Sequence, residues 1–114
     1  MPYVDGFVVP VAKDKLEAYK VFARKVGEIF KEHGALQVVE CTGDDVPYGK
    51  LTSFPRAVQA TDDEVVIFSW VVYSSRAERD SISAKVMADP RVPRDVPFDG
   101  RRMIFGGFEP WLEM

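Results

Sequence analysis

The segment VVIFSWVVY, residues 65–73, is apolar at every position except Ser69. Its β-branched and aromatic residues favour an extended backbone, so we predict a strand here. Successive residues of a strand point to opposite faces of the sheet, and in this segment both sets are apolar. We therefore expect this strand to be central in its sheet and covered on both faces.

Two elements are predicted before this strand. Residues 3–10 alternate and are rich in β-forming side chains, and we expect a strand that ends at its proline. Residues 13–34, KDKLEAYKVFARKVGEIFKEHG, carry apolar side chains at helical spacing. We predict a helix that opens with a capping box of Asp14 and Glu17 and ends with Gly34 in the left-handed conformation.

The chain between this helix and the central strand divides into two parts. Residues 35–42 have the composition of a second strand. Residues 43–64 form a connection of unusual length, in which KLTSF, residues 50–54, is a candidate short strand. Plain loops of this length are uncommon and are often functional.

After the central strand, Ser75 and Glu78 have the spacing of a capping box. They predict a second helix, which we expect to end before Pro90. Residues 91–100 are typical of an irregular connection, and residues 102–111 of a last strand.

The resulting order β-α-β-β-α-β is typical of a ferredoxin-like α+β sandwich. We expect one such domain over residues 1–114, with an antiparallel sheet of strand order 4-1-3-2 and both helices on one face. The other face would then meet water, yet Phe68 and Trp70 make it apolar. Soluble monomers rarely expose a large apolar surface, so we predict a homodimer with two sheets packed face to face, a dimeric α/β barrel.

Composition argues against several classes of protein. With 15 basic and 18 acidic residues, the net charge of −3 lacks the basic surplus of a nucleic-acid-binding protein. One cysteine cannot form an internal disulfide. The first ten residues do not resemble a signal peptide, and no apolar run approaches the ~20 residues of a membrane span. We therefore expect a cytoplasmic protein without nucleic-acid or membrane partners.

Five segments of the chain are distinctive: YVDGFVVPV (3–11), HGALQVVECTGDDVPYGKLTSFP (33–55), VVIFSWVVYSSRAERD (65–80), AKVMADPR (84–91) and PFDGRRMIFGGFE (97–109). Together they resemble the YbaA-like family of small bacterial proteins, a domain of unknown function. The resemblance implies membership of the dimeric α+β barrel superfamily, which includes cofactor-free quinone monooxygenases, lactone isomerases and haem-dependent enzymes. It implies no catalytic residues, because the family has no established activity.

His33 and Cys41, the only histidine and the only cysteine, are the residue types of a nucleophilic dyad or a metal site. Cys41 lies six residues along the predicted strand, about 20 Å from its start. His33 lies beside that start, so the two cannot meet within one chain. We expect a histidine at a helix end, a small buried cysteine and no metal site, because zinc needs three or four ligands.

Glu40 shares a strand face with apolar neighbours, and an acid in that position needs a partner or changes its pKa. Lys50, Arg56 or an arginine of the last strand are candidate partners. Asp44 and Asp45, just beyond, fit a turn.

Arg101 and Arg102 open the last predicted strand, and at most one of them can face inward. The inward arginine could recognise a carboxylate or phosphate, and a surface salt bridge is the alternative. Gly106 and Gly107 in the middle of that strand indicate a bulge, a close approach or space for a ligand.

The resemblance, together with the aromatic-rich strands, implies a protein that binds a small organic ligand in an apolar pocket between sheet and helices. We expect no cofactor, and the sequence leaves open whether the protein is an enzyme. The alternative is a non-catalytic structural or regulatory homodimer that acts through protein contacts at residues 43–64. The candidate ligand-binding residues are Glu40, Phe54, Trp70, Tyr73 and Arg102.

Overall fold

The structure, a computed structural model, describes residues 2–114. Strands and helices alternate in the predicted order, with one additional short helix before the central strand. Two 3₁₀ turns, Lys13–Lys15 and Gly100–Arg102, precede the first helix and the last strand. In chain order the elements are β1 (Tyr3–Ala12), α1 (Leu16–Glu32), β2 (Gln37–Thr42), α2 (Phe54–Ala57), β3 (Glu64–Tyr73), α3 (Arg76–Ala88) and β4 (Ile104–Phe108).

The four strands form one antiparallel sheet in the order β2-β3-β1-β4. This is the predicted 4-1-3-2 order read from the opposite edge, so the ferredoxin-like prediction is confirmed. All ten residues of β3 pair with β1, and β2 pairs with β3 on its other side. The segment predicted to be central is therefore central, and β2 and β4 form the edges.

The long helices α1 and α3 pack on one face of this sheet. On that face β3 contributes Ile67, Val71 and Tyr73, all of which are buried. Burial of this apolar surface is the main stabilising contribution to the fold. The helices cover the sheet with Tyr19, Ala23 and Ile29 from α1 and with Ile82 and Val86 from α3.

Within residues 2–114, no helix combines the length and the apolar character that crossing a bilayer requires.

The two ends of α1 are built differently. The predicted capping box of Asp14 and Glu17 is wrong, because Asp14 lies inside a 3₁₀ turn and Lys15 precedes the helix without a side-chain cap. At the other end Gly34 has the predicted left-handed backbone, with a φ of +119°. Backbone hydrogen bonds of 3.0 and 3.1 Å from the residues after the helix to its last turn close this end.

The predicted boundaries of α3 are confirmed. Ser75 has an extended backbone, and its Oγ accepts a hydrogen bond of 3.1 Å from the Glu78 N–H. This bond satisfies one of the free N–H groups at the start of the helix. The helix ends at Ala88, before Pro90.

The prediction that Pro10 ends β1 is wrong, because the strand continues to Ala12. β4 pairs only with Val4 to Val8 of β1. Beyond Val8, β1 has a neighbouring strand on one side only, and a residue without an N–H is tolerated in that position.

Two further boundaries differ from the predictions. Residues 50–54 form no strand, because the Ser53 Oγ caps α2 and a proline follows at its start. β4 begins at Ile104 because Asp99 caps the 3₁₀ turn Gly100–Arg102 and turns the chain before it can pair. Both arginines of this turn therefore precede the strand instead of belonging to it.

The second face of the sheet is partly covered by residues 43–63, the connection between β2 and β3. Val58 of this connection is buried against Val8 and Val66, which point away from α1 and α3. Beyond Val58 the connection does not cover this face of the sheet. We use the name open sheet face for the apolar side chains beyond it, which are partly or largely exposed: Phe54, Phe68, Trp70, Ile104 and Phe108.

A polar cluster joins β1, β3 and α3 at the far end of the helix face. The Tyr73 hydroxyl donates to Asp5 Oδ2 at 3.0 Å. Arg79 lies 3.8 Å from Asp5 Oδ1 and donates from Nη2 to the Tyr3 hydroxyl at 3.1 Å. Gly107 lies directly against this cluster, since a Cβ there would come within 2.7 Å of Arg79 Nη2. The space beside Gly107 is therefore occupied by protein side chains and not left for a ligand.

We predict that Gly107→Ala destabilises the protein by about 1–3 kcal/mol, because the added methyl group displaces Tyr3 and Arg79. Gly106→Ala is the matched control, since its Cβ would meet only Phe108, at an ordinary 3.6 Å. Urea unfolding of both variants measures the difference. Equal stabilities would contradict the close packing described at Gly107.

Candidate functional site

A groove of about 860 Å³ lies between α1 and the edge strand β2. Because β2 has a neighbouring strand on one side only, the groove is open along the sheet edge. Its apolar lining comes from Ala23, Gly27, Val38 and Ile67. We call it the α1–β2 groove, and its volume is within the range of small-molecule sites.

Tyr19 and Glu40 meet inside the α1–β2 groove. The Tyr19 hydroxyl donates a hydrogen bond of 2.7 Å to Glu40 Oε1. Glu40 shares its strand face with Val38, as predicted, but its partner is none of the basic residues that we considered. Tyr19 belongs to the apolar stripe of the helix predicted over residues 13–34, and its hydroxyl is the signal that could have found the pair, because a buried hydroxyl needs a polar partner.

The surroundings change the pKa values of both groups. Although Glu40 as a whole residue is exposed, burial of its carboxyl group raises the pKa, and hydrogen bonds from Tyr19 and Ser69 partly oppose this. Burial, followed by the hydrogen bond to Glu40 and its charge, raises the Tyr19 pKa far above its usual value. Tyr19 therefore stays protonated, and Glu40 takes up a proton more readily than an ordinary glutamate.

Three cationic side chains of α1 line the same groove: Lys20, Arg24 and Lys31. Lys20 lies 3.6 Å from a Glu17 carboxylate oxygen, and Lys31 donates to the Leu36 carbonyl at 2.9 Å. The groove thus combines an apolar floor, the Glu40 acceptor and a rim of mixed charge, to which Glu28 and Glu32 also belong.

Of the five candidate ligand-binding residues, only Glu40 lines this groove. Phe54 and Trp70 lie on the open sheet face, on the side of the sheet opposite the helices, and Phe68 lies between them. The ring centroids are 5.9 Å apart for Phe54 and Phe68 and 5.6 Å apart for Phe68 and Trp70. Tyr73 is fully buried and bonded to Asp5. The five residues therefore do not form one site.

Arg102 is held by its own chain. Its guanidinium donates to both carboxylate oxygens of Glu64, at 2.8 and 2.7 Å, and to Asp99 Oδ2 at 3.1 Å. The hydrogen bonds from Arg102 lower the pKa of Glu64 to about 2. Arg101, by contrast, is 91% exposed. One arginine faces inward, as predicted, but its partner is an internal carboxylate.

His33 and Cys41 lie apart, as strand geometry requires. His33 lies after α1, with Nε2 3.0 Å from Asp89 Oδ2, and so joins the ends of α1 and α3. Cys41 is a free thiol that is partly exposed at the sheet edge, not buried as we expected. Within residues 2–114, no three His, Cys, Asp or Glu side chains gather closely enough to hold a metal ion.

We predict that Arg102→Gln lowers the midpoint of thermal unfolding at neutral pH, because it leaves Glu64 without its bidentate partner. The control Arg101→Gln removes the same charge from an exposed position and should change the midpoint little. The Glu64 pKa falls from 4.5 to about 2 on folding, so its stabilisation is present above pH 4.5. It is lost as the pH falls towards 2, where the Arg102→Gln and wild-type midpoints should converge. A difference that is independent of pH would contradict this assignment.

Comparison with known proteins agrees with this architecture. Uncharacterized protein YbaA from Escherichia coli strain K12 and its counterpart from Shigella flexneri are each 53% identical over 116 residues, covering 99% of both chains. Among solved structures, Rv0793 from Mycobacterium tuberculosis superposes with a TM-score of 0.59 at 14% identity, covering 99% of this chain and 98% of that one.

A nipsnap family protein with unknown function from Agrobacterium tumefaciens superposes with a TM-score of 0.54 at 18% identity, covering 96% of this chain and 87% of that one. At these identities the solved structures show a shared fold only. A family model described as a protein of unknown function, DUF1428, matches residues 2–100. The match to this model and the identity to YbaA along the whole chain confirm the predicted resemblance, and the chain belongs to the DUF1428 family.

Proposed function

We propose that this protein is a cytoplasmic homodimer that binds a small organic ligand in the α1–β2 groove of each chain. The observation that carries the ligand proposal is the Tyr19–Glu40 pair inside a groove of about 860 Å³. A partly buried carboxylate disfavours its charged form unless it gains hydrogen bonds, and the floor beside it is apolar. A ligand with an apolar body and a hydrogen-bond donor can cover the apolar floor and donate to the carboxylate.

The homodimer proposal rests on the open sheet face. Phe108 at one edge of this face is 64% exposed, and Trp111, three residues further along the chain, is 89% exposed. Ile104 and Phe68 of the open sheet face are also exposed, and soluble monomers rarely leave an extensive apolar surface uncovered. A second copy offers the same surface, so a two-fold axis lets the two sheets cover one another.

The ligand proposal is tested by titrating the protein with a library of small alcohols, phenols, amides and acids while recording amide NMR shifts. We predict that the hits perturb residues of α1 and β2. Tyr19→Phe and Glu40→Gln should weaken those hits several-fold, because each alters the polar pair in the groove. Tyr48→Phe, an exposed tyrosine outside the groove, is the control. Shifts that are absent from α1 and β2 throughout the library would overturn the proposal.

The homodimer is tested by light scattering during gel filtration at micromolar concentration. The wild type should have the mass of two 12.9 kDa chains. Phe108→Glu places a charge in the proposed interface and should give a monomer. Val21→Glu changes an apolar side chain of α1 that is 72% exposed and should leave the dimer intact. A wild-type monomer would overturn the proposal.

A second candidate function is that of a structural or regulatory homodimer that acts through protein contacts at residues 43–64. The observation that favours it is Leu51, which is 93% exposed in that connection, together with the exposed Tyr48 three residues earlier in the chain. Exposed apolar side chains on an ordered connection are typical of contact surfaces. A groove that accepts no member of the library would favour this function over ligand binding.

A further inference from the structure

We propose that the ligand of the α1–β2 groove is an organic carboxylate that also carries a hydroxyl group, with Arg24 binding the carboxylate and Glu40 accepting the hydroxyl hydrogen. This inference rests on the proposed function and names the class of ligand. It follows from which charges of the groove are already paired and from their spacing along α1.

Arg24 is the cation of the groove that remains available. Lys20 is close to Glu17, and Lys31 is bonded to the Leu36 carbonyl. Within residues 2–114, no carboxylate lies within 4.0 Å of the Arg24 guanidinium. A guanidinium presents parallel N–H groups that match the two oxygens of a carboxylate, so an acid is the ligand group that suits it best.

The acidic residues of the rim do not cancel this charge. Glu32 pairs with Arg91 at 2.6 Å and so directs its charge away from Arg24. Glu28 lies one helical turn beyond Arg24 and also lines the groove. It makes no ion pair with Arg24, and it disfavours an anion nearby by repulsion. Removing the Glu28 charge should therefore strengthen binding of a carboxylate, which provides an independent test.

The spacing of the groups limits the shape of the ligand. Tyr19, which holds Glu40 by a hydrogen bond of 2.7 Å, lies five residues before Arg24 on the same helix. Five residues of α-helix rise about 7.5 Å. Ala23 of the apolar floor lies between these two positions, and Gly27 continues the floor one turn beyond them. A ligand whose hydroxyl and carboxylate are separated by a flat apolar body matches this separation better than one whose two groups are adjacent.

The experiment compares three probes by NMR titration of the full chain. The first, 4-hydroxybenzoate, carries its two groups across a ring, and salicylate carries them side by side. The third, 4-hydroxybenzyl alcohol, replaces the carboxylate of the first with a neutral group. We expect 4-hydroxybenzoate to bind about fivefold more tightly than either other probe, the scale of one partly exposed ion pair.

Variants assign the effect to residues. Arg24→Gln should remove the advantage of 4-hydroxybenzoate and leave binding of 4-hydroxybenzyl alcohol unchanged. Arg76→Gln is the matched control, because Arg76 is an exposed arginine of α3 outside the groove. Glu28→Gln should tighten 4-hydroxybenzoate and leave binding of the neutral 4-hydroxybenzyl alcohol unchanged. All three residues are exposed, so these substitutions should leave the fold intact.

The outcomes separate this inference from the proposed function. Equal affinities for the three probes, or a loss that is the same in Arg24→Gln and Arg76→Gln, overturn the carboxylate assignment while groove binding stands. Failure of these probes in a groove that accepts other members of the library also overturns it. A groove that accepts no compound overturns both.

Discussion

The fold depends on a single strand that must be covered twice. β3 pairs with two strands along its length, and the side chains on both of its faces are apolar. One helix layer buries Ile67, Val71 and Tyr73 on the first face. Only part of the second face is covered, where Val58 packs on Val66. The helices cover the first face, the β2–β3 connection covers part of the second, and the proposed partner chain would cover the rest.

The sequence predicts those elements whose signal is local. The apolar pattern of β3, the Ser75 cap and Gly34 each act within a few residues, and each is found where predicted. The errors have non-local causes. Pro10 stays within β1 because β4 is short, and this could not be read from the residues around Pro10. The start of β4 depends on the capped turn at Asp99, which competes with strand pairing.

The candidate site was only partly predictable for the same reason. Glu40 was identified because an acid on an apolar strand face is unusual, but its partner lies 21 residues away on α1. Side-chain alternation gives the face of a strand residue and not which helix residue lies above it. For Arg102 the sequence indicated a role that the structure does not support. Its charge suggested recognition of a ligand, and only the contact with Glu64, 38 residues earlier, shows that the charge is satisfied internally.

The two faces of β3 link the groove to the proposed dimer. Ser69 is paired with Glu40 across β2 and β3 on the helix side, while its neighbours Phe68 and Trp70 lie on the open sheet face. A partner chain packed on Phe68 would therefore touch the same backbone that positions Ser69, although it would contribute no atom to the groove. Close-packed strands transmit small shifts because they have little free volume to absorb them. Dimer formation and ligand binding would then be coupled through adjacent residues of one strand, with each groove complete within its own chain.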